Sequence, residues 1–312
     1  MKCCTAMRTG RAAITIDAAG CGTPRATEGH KRHRLITEPP MKLKLATRAA
    51  FALVLGFSAA VQAAPVTAAL ADAIAAPTRT EAFRARDVYR HPQQTLAFFD
   101  VQPNMTVVEI WPGGGWYTEI LAPYLRDQGQ YIAAGFALNE KSPGYQGKSA
   151  TSFVEKLRAA PALYGKVGLS ALGAPDSWTI APAGSADRVL TFRNVHNWMD
   201  ADMAPQVFAA MFAALKPGGV LGVVEHRAAA GTSIEKMKDS GYVTEEEVKR
   251  LALQAGFRFE SASEVNANPK DTKDYAKGVW TLPPRLAEGE TDRAKYLAIG
   301  ESDRMTLRFV KP

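Results

Sequence analysis

Two sets of residues in this chain have the types and spacing that chemistry needs. The first is Val107-Val108-Glu109-Ile110-Trp111-Pro112-Gly113-Gly114-Gly115-Trp116-Tyr117-Thr118-Glu119. An apolar run closes on an acidic residue and passes through three glycines into the first turn of a helix. Glycines remove side chains where backbone must touch a ligand, and they tolerate positive φ. The following helix start presents free N–H groups and a positive dipole end. Such a turn holds a nucleotide-type cofactor, or it is a tight strand–helix connection that binds nothing; both readings stand. The second set is His196, Glu225 and His226. If the strands carrying them are neighbours in a parallel sheet, all three come to one mouth, since ligands sit beyond the carboxyl ends of such strands. A histidine there can act as a general base. Two histidines and a carboxylate can also hold a metal, although the expectation is that this site holds none. Structural hydrogen bonds at the strand ends are the alternative use.

These residues need a strand–helix framework, and the sequence supplies one. Strands are expected at Met105–Trp111, Gln130–Phe136, Lys166–Leu172, Asp187–Phe192, Val220–Glu225, Phe257–Val265 and Met305–Val310. Helices are expected at Ala68–Ala75, Glu81–Tyr89, Gln93–Phe99, Tyr117–Leu125, Ser152–Ala159 and Pro205–Leu215. A further helix opens on the capping box Thr244-Glu245-Glu246-Glu247 and ends at Gly256. Alternation with short connections predicts an α/β fold: a Rossmann-like, seven-stranded, mostly parallel sheet with helices on both faces and an N-terminal helical extension. Residues 266–304 break the alternation and form a long insertion before the last strand. With Asn266, Asn268, Tyr275, Trp280 and Pro283-Pro284, the insertion is expected to cap the substrate side of the pocket. Arg84, Arg86, Asp87 and Arg90 form a charged helical face, the pattern of solvated surface, with closure over the pocket as the other reading.

The chain has 312 residues with 38 basic and 31 acidic groups, a net +7. Ten of the basic and three of the acidic residues lie in residues 1–63, so the remainder carries 28 of each and is neutral. A basic isoelectric point here therefore gives no reason to expect nucleic acid or an anionic membrane as partner. Met41-Lys42-Leu43-Lys44, Arg48, the apolar run Ala49 to Val61 and the small residues around Ala63 match a secretory signal peptide over 41–63. The expectation is an exported protein, periplasmic in a Gram-negative bacterium, with no stable membrane anchor after cleavage. Residues 1–40 have no apolar periodicity and read as a misassigned or disordered leader. All three cysteines, Cys3, Cys4 and Cys21, lie in that leader, which leaves residues 64–312 without thiol chemistry. Those 249 residues suffice for a single large α/β domain.

The glycine turn resembles motif I of class I S-adenosylmethionine-dependent methyltransferases, acidic-x-Gly-x-Gly-x-Gly after an apolar strand. It maps onto Glu109, Trp111, Gly113 and Gly115, so a tryptophan replaces the first glycine. Leu215-Lys216-Pro217-Gly218-Gly219 between a helix and the fifth strand, and Asp187-Arg188-Val189-Leu190 at the fourth, occupy family positions. The resemblance covers about residues 80–265. Within the superfamily, the chain is similar to a group of exported predicted methyltransferases. The resemblance implies S-adenosylmethionine as cofactor and a small or amphipathic molecule as methyl acceptor. It implies cofactor contacts at Glu109, Trp111, Gly113, Gly114, Gly115 and Tyr117, with Asn194 beyond the fourth strand. Asp176, after the third strand, falls where family members hold the adenine amino group; an exposed turn aspartate is the other reading. At the end of the second strand the expected ribose-binding acid is Ala137, so Asn139 or Glu140 must substitute. His196 would be the acceptor's base, with Glu225 and His226 beside it. The other function the sequence allows is an exported protein on a methyltransferase-derived scaffold that binds or hydrolyses another ligand without S-adenosylmethionine.

Overall fold

The computed structural model describes residues 68–138, 142, 144–173 and 175–312. The leader, the signal-peptide segment and Asn139 and Glu140 lie outside the described residues. Seven strands, β1 (Thr106–Ile110), β2 (Gln130–Phe136), β3 (Gly168–Leu172), β4 (Ala186–Phe192), β5 (Leu215–His226), β6 (Arg258–Ser263) and β7 (Arg304–Val310), form one sheet in the order β3-β2-β1-β4-β5-β7-β6. The pairs from β3 to β5 are parallel, and β7 runs antiparallel to both β5 and β6. The chain winds outward from β1 to β3, then returns to place β4 on the other side of β1. The winding direction reverses there, so the carboxyl ends of β1 and β4 diverge into a crevice.

Both faces of the sheet are covered. Val108, Ile110 and Val189 belong to one apolar cluster with Trp198, Phe208 and Met211 from the helices Val195–Asp200 and Ala204–Ala214. Val107, Tyr131 and Leu190 belong to the other, with Leu96, Ile120 and Leu121. The two sides of β1 thus alternate between two cores, the pattern of a strand buried on both faces. Gly222 in β5 shows how tight this packing is: a Cβ there would lie 2.8 Å from Leu190 and from Phe99.

Three departures from the sequence reading bear on the site. The expected helix Glu81–Tyr89 is two short turns, Glu81–Arg84 and Asp87–Arg90. The Trp116 indole N–H donates to Phe83 O at 2.9 Å and Arg79 grips Asp87 through two bonds at 2.7 and 2.9 Å, which fixes the break between them. His91, barred from the helical region by Pro92, takes φ +40. Second, β4 ends at Phe192 as expected, but a helix not expected from the sequence begins at Val195. Its first free N–H, that of Val195, donates to Glu225 Oε2 at 2.5 Å, so the cap comes from β5 and not from the adjoining sequence. Third, the 266–304 insertion contains a 3₁₀ turn at Gly278–Thr281 and a helix at Arg293–Ile299. It is pinned by Tyr242 Oη donating to Asp271 at 3.0 Å, by Asp303 N–H donating to Asp271 at 2.8 Å, and by Asn266 donating to Thr95 at 3.0 Å and Thr306 at 2.9 Å. Among the described residues no helix is long and apolar enough to cross a membrane.

Candidate active site

A recess of about 320 Å³ opens at the carboxyl ends of β1 and β4. Glu109, Trp111, Pro112, Gly113 and Gly114 border it on the β1 side, and Phe192, Arg193 and Asn194 on the β4 side. Trp116 and Tyr117 form its floor, Tyr117 stacking on Phe192 at 3.6 Å. Phe83, Arg86 and Arg90 come from the N-terminal segment and cover it. Gly115 N–H closes the turn on Pro112 O at 3.0 Å, while those of Gly113 and Gly114 donate no hydrogen bond among the described residues. Gly113 has φ +59, and a Cβ built on it would meet nothing within 4 Å. A Cβ on Gly114 would meet the Phe83 ring at 3.6 Å, and one on Gly115 the Phe153 ring at 3.2 Å. Of the three glycines, Gly113 faces open space.

Glu109 is 3% exposed. Tyr131 Oη donates to its Oε2, and Thr118 Oγ1 lies 2.8 Å from the same phenol. Burial pushes the Glu109 pKa up to about 7, against the Tyr131 hydrogen bond and the charge of Arg193. The carboxylate is therefore poised to take full charge when a cation arrives beside it.

Trp111, in the position of the first motif glycine, does not sit over the recess alone. Its φ of +46 turns the indole back toward the outer strands, where N–H donates to Leu172 O at the end of β3 at 3.1 Å. Its ring packs 4.6 Å from Phe136 at the end of β2 and 5.9 Å from Trp198. The mouth between β2 and β3 is thus covered by aromatic surface, and no residue from the ends of those strands borders the recess. Asp176 is exposed, in a turn after β3, and is not brought to the recess. Asn194 is brought there, but its amide donates to Ile110 O at 2.9 Å and ties β4 to β1.

The charged face of residues 84–90 is not simple solvated surface. Arg84 is exposed, but Arg90 is 3% exposed and, with Arg86, holds Glu301 from the insertion. Arg304 completes the group at 3.0 Å. Burial works against ionisation of Glu301, yet Arg90, Arg304, Arg193 and Arg86 hold its pKa down at about 2. On the other side, Glu119 Oε1 and Oε2 accept from Thr80 Oγ1 and N at 2.6 and 2.8 Å. The N-terminal segment is therefore clamped over the recess at both ends. Sequence reading reached neither Arg193 nor Glu301, which lie outside any motif and more than 100 residues apart.

His196, Glu225 and His226 do converge. Glu225 is fully buried and accepts from Val195 N, from His226 N at 2.8 Å and from His196 Nδ1 at 3.1 Å. Both Glu225 oxygens accept from backbone N–H groups, so His196 Nδ1 is placed as a donor toward the carboxylate and Nε2 is the ring nitrogen turned away from it. His226 Nδ1 lies 2.6 Å from Ser302 Oγ, and burial, with His196 and Arg193 next, pushes its pKa well below the usual imidazole value. The two rings are 5.3 Å apart, and the Trp280 ring stands edge-on to His196 at 6.1 Å. One donor atom from each of the three residues fits within 4.8 Å, close enough for a cation. Arg193, Arg304 and Arg90 make the surroundings electropositive, however, and both Glu225 oxygens already serve backbone N–H groups. The arrangement suits an oriented base. His196 does not border the recess; it lies on its β5 side, under the insertion. Glu225→Gln should place an amide N–H against one of these donors and cost about 2–3 kcal/mol of stability. Denaturant unfolding of wild type and variant measures this.

The strand order, the single reversed strand β7 and the glycine turn after β1 together match the expected architecture. The fold is the Rossmann-like, seven-stranded, mostly parallel α/β fold expected from the sequence. No protein-family model matches the chain, and no curated protein matches it. Among solved structures it is similar to a SAM-dependent methyltransferase from Aquifex aeolicus, with 15% identity, 73% of this chain and 93% of that one covered, and a TM-score of 0.46. It is also similar to the [4+2]-cyclase SpnF, at 16% identity, coverage of 74% and 81%, and a TM-score of 0.48. A third is phosphoethanolamine N-methyltransferase 2 from Haemonchus contortus in complex with S-adenosyl-L-methionine, at 16% identity, coverage of 70% and 52%, and a TM-score of 0.47.

Proposed function

We propose that the protein transfers a methyl group from S-adenosylmethionine to a small or amphipathic acceptor. The observation that carries this reading is the recess itself: free N–H groups at Gly113 and Gly114, open space at Gly113 and a buried carboxylate at Glu109, all at the point where the winding of the sheet reverses. The amino-acid end of the cofactor fits these groups, with Glu109 facing its ammonium and Tyr117 and Asn194 shaping the wall. When bound, the cofactor supplies a methyl group activated by a sulfonium leaving group. The protein then has to bind the acceptor, orient it and exclude water. For a hydroxyl or neutral amine acceptor, His196 Nε2 receives the proton while Glu225 fixes the tautomer. Trp280 and the insertion shield that base from solvent.

The segment 41–63 supports export, with the balanced charge of the remaining residues supporting neither nucleic acid nor membrane as partner. Export also favours a second reading, because an exported protein meets S-adenosylmethionine only where that compound is supplied across the membrane. Trp111 favours it too, since its ring lies across the strand ends where the resemblance places the nucleoside. In that reading the scaffold binds or hydrolyses another ligand.

Thermal unfolding with and without S-adenosylmethionine separates the two. At one hundred times the dissociation constant, binding adds about 2.7 kcal/mol, a rise of about 5–10 °C in melting temperature for a domain of this size. Gly113→Leu should abolish that rise by filling the recess, while costing about 1–2 kcal/mol for a side chain at positive φ. No ligand-dependent rise in the wild type would favour the second reading.

A further inference from the structure

The recess holds more positive charge than its surroundings balance. Arg86, Arg90 and Arg193 border it, and Arg304 joins Arg86 and Arg90 on Glu301. Against these four guanidiniums stand one firmly ionised carboxylate, Glu301, and Glu109, which burial keeps partly protonated near neutral pH. Arg193 is the group left over. Among the described residues its side chain makes no direct hydrogen bond or ion pair; its charge acts on Glu301, already shared by Arg86, Arg90 and Arg304, and also on Glu109 and His226. Its backbone is held at φ +62, with N–H donating to Val224 O at 2.7 Å. A long side chain in the left-handed region is unfavourable, and so is a half-buried cation whose nearest counter-charge, Glu301, is already bonded to three other guanidiniums. Their coincidence at the rim of a cavity marks a group kept for a ligand.

We propose that the recess binds its ligand through an oxyanion, a carboxylate or phosphate group, received by Arg193 in the field of Arg86 and Arg90. Gly113 and Gly114 N–H, unused by the protein, lie on the opposite wall as further donors. This goes beyond the methyl-transfer reading and does not depend on it. The oxyanion belongs either to the amino-acid end of the cofactor or to the acceptor, and the two sources separate experimentally.

The test uses the full chain with Arg193→Gln and Arg193→Lys, and three probes: inorganic phosphate, S-adenosylhomocysteine, and 5′-methylthioadenosine, which keeps the nucleoside thioether and lacks the carboxylate. Phosphate also stabilises proteins as an excluded salt, equally in all variants, so the difference between variants reports the site. Wild type should show saturable stabilisation by phosphate, weakened about 10- to 100-fold in Arg193→Gln and less in Arg193→Lys. Without ligand, Arg193→Gln should melt within about 2–4 °C of wild type, because the Arg193 side chain makes no direct bond to the protein. If Arg193→Gln also weakens S-adenosylhomocysteine but not methylthioadenosine, the cofactor supplies the oxyanion. If it leaves S-adenosylhomocysteine unchanged while the phosphate effect is lost, the acceptor supplies it. Phosphate binding through Arg193 without any S-adenosylhomocysteine binding would uphold the anion site and remove the methyl-transfer reading. The proposal is overturned if Arg193→Gln responds to phosphate and S-adenosylhomocysteine as wild type does, or if the unliganded variant melts well below wild type.

Discussion

Replacing Glu301 by glutamine should lower the unfolding free energy by about 3–5 kcal/mol, the usual consequence of removing one partner from a buried ionic group. Glu301 is 4% exposed and accepts from Arg86 Nε at 2.6 Å, Arg90 Nε at 3.1 Å and Arg304 at 3.0 Å. Glutamine keeps the shape and loses the charge, so three guanidiniums lose their shared counter-ion. Acid should reproduce the loss. The folded pKa of about 2 lies below the ordinary 4.5, so the stabilisation is present above 4.5 and is lost as pH falls from there toward 2. The gap between these two values corresponds to about 3 kcal/mol. Urea unfolding of wild type and Glu301→Gln between pH 3 and 7 measures both effects. The variant should be weaker at pH 7 and lack this part of the pH dependence. A difference below about 1 kcal/mol at pH 7 would mean that Glu301 does not clamp the N-terminal segment.

Trp111→Gly should have the second largest effect, and its sign comes from two opposed contributions. Glycine adopts φ +46 freely, which gains about 1–2 kcal/mol. Losing an indole that is 8% exposed, packed on Phe136 and bonded to Leu172 O costs about 3–5 kcal/mol. Packing wins, and the net loss is about 2–3 kcal/mol. Trp111→Ala loses the same packing without the backbone relief, so it should be less stable than Trp111→Gly by about 1 kcal/mol, the reverse of the order in ordinary strands and helices. Opening the β2–β3 mouth should also tighten adenosine about tenfold if the indole covers the nucleoside position. Denaturant unfolding and adenosine titration of the three proteins check these points. Trp111→Ala more stable than Trp111→Gly would contradict the backbone assignment.

What the sequence disclosed and what it withheld differ by range. The strands were legible because their apolar runs are local: Gln130–Phe136 was read at its observed bounds, and the Thr244 cap was visible from four adjacent residues. The glycine turn was legible for the same reason. The Val195 helix was not, because its capping group is Glu225, thirty residues on. Nor was the purpose of Arg90, whose counter-ion Glu301 is 211 residues away. The convergence of His196, Glu225 and His226 followed from expecting β4 and β5 as neighbours, but only the hydrogen bonds show Glu225 orienting one histidine and Ser302 meeting the other. Trp111 was visible as a departure from the glycine pattern; its contacts with Phe136 and Leu172 O at the ends of β2 and β3 go with a positive φ that the sequence does not encode.

The most direct test of the central claim is a crystal structure of the protein grown with S-adenosylhomocysteine. The amino-acid end of that molecule should lie on Gly113 and Gly114, between Glu109 and Arg193, with the N-terminal segment closed above it. Density for the ligand at another site, or a recess containing only solvent at saturating concentration, would contradict it.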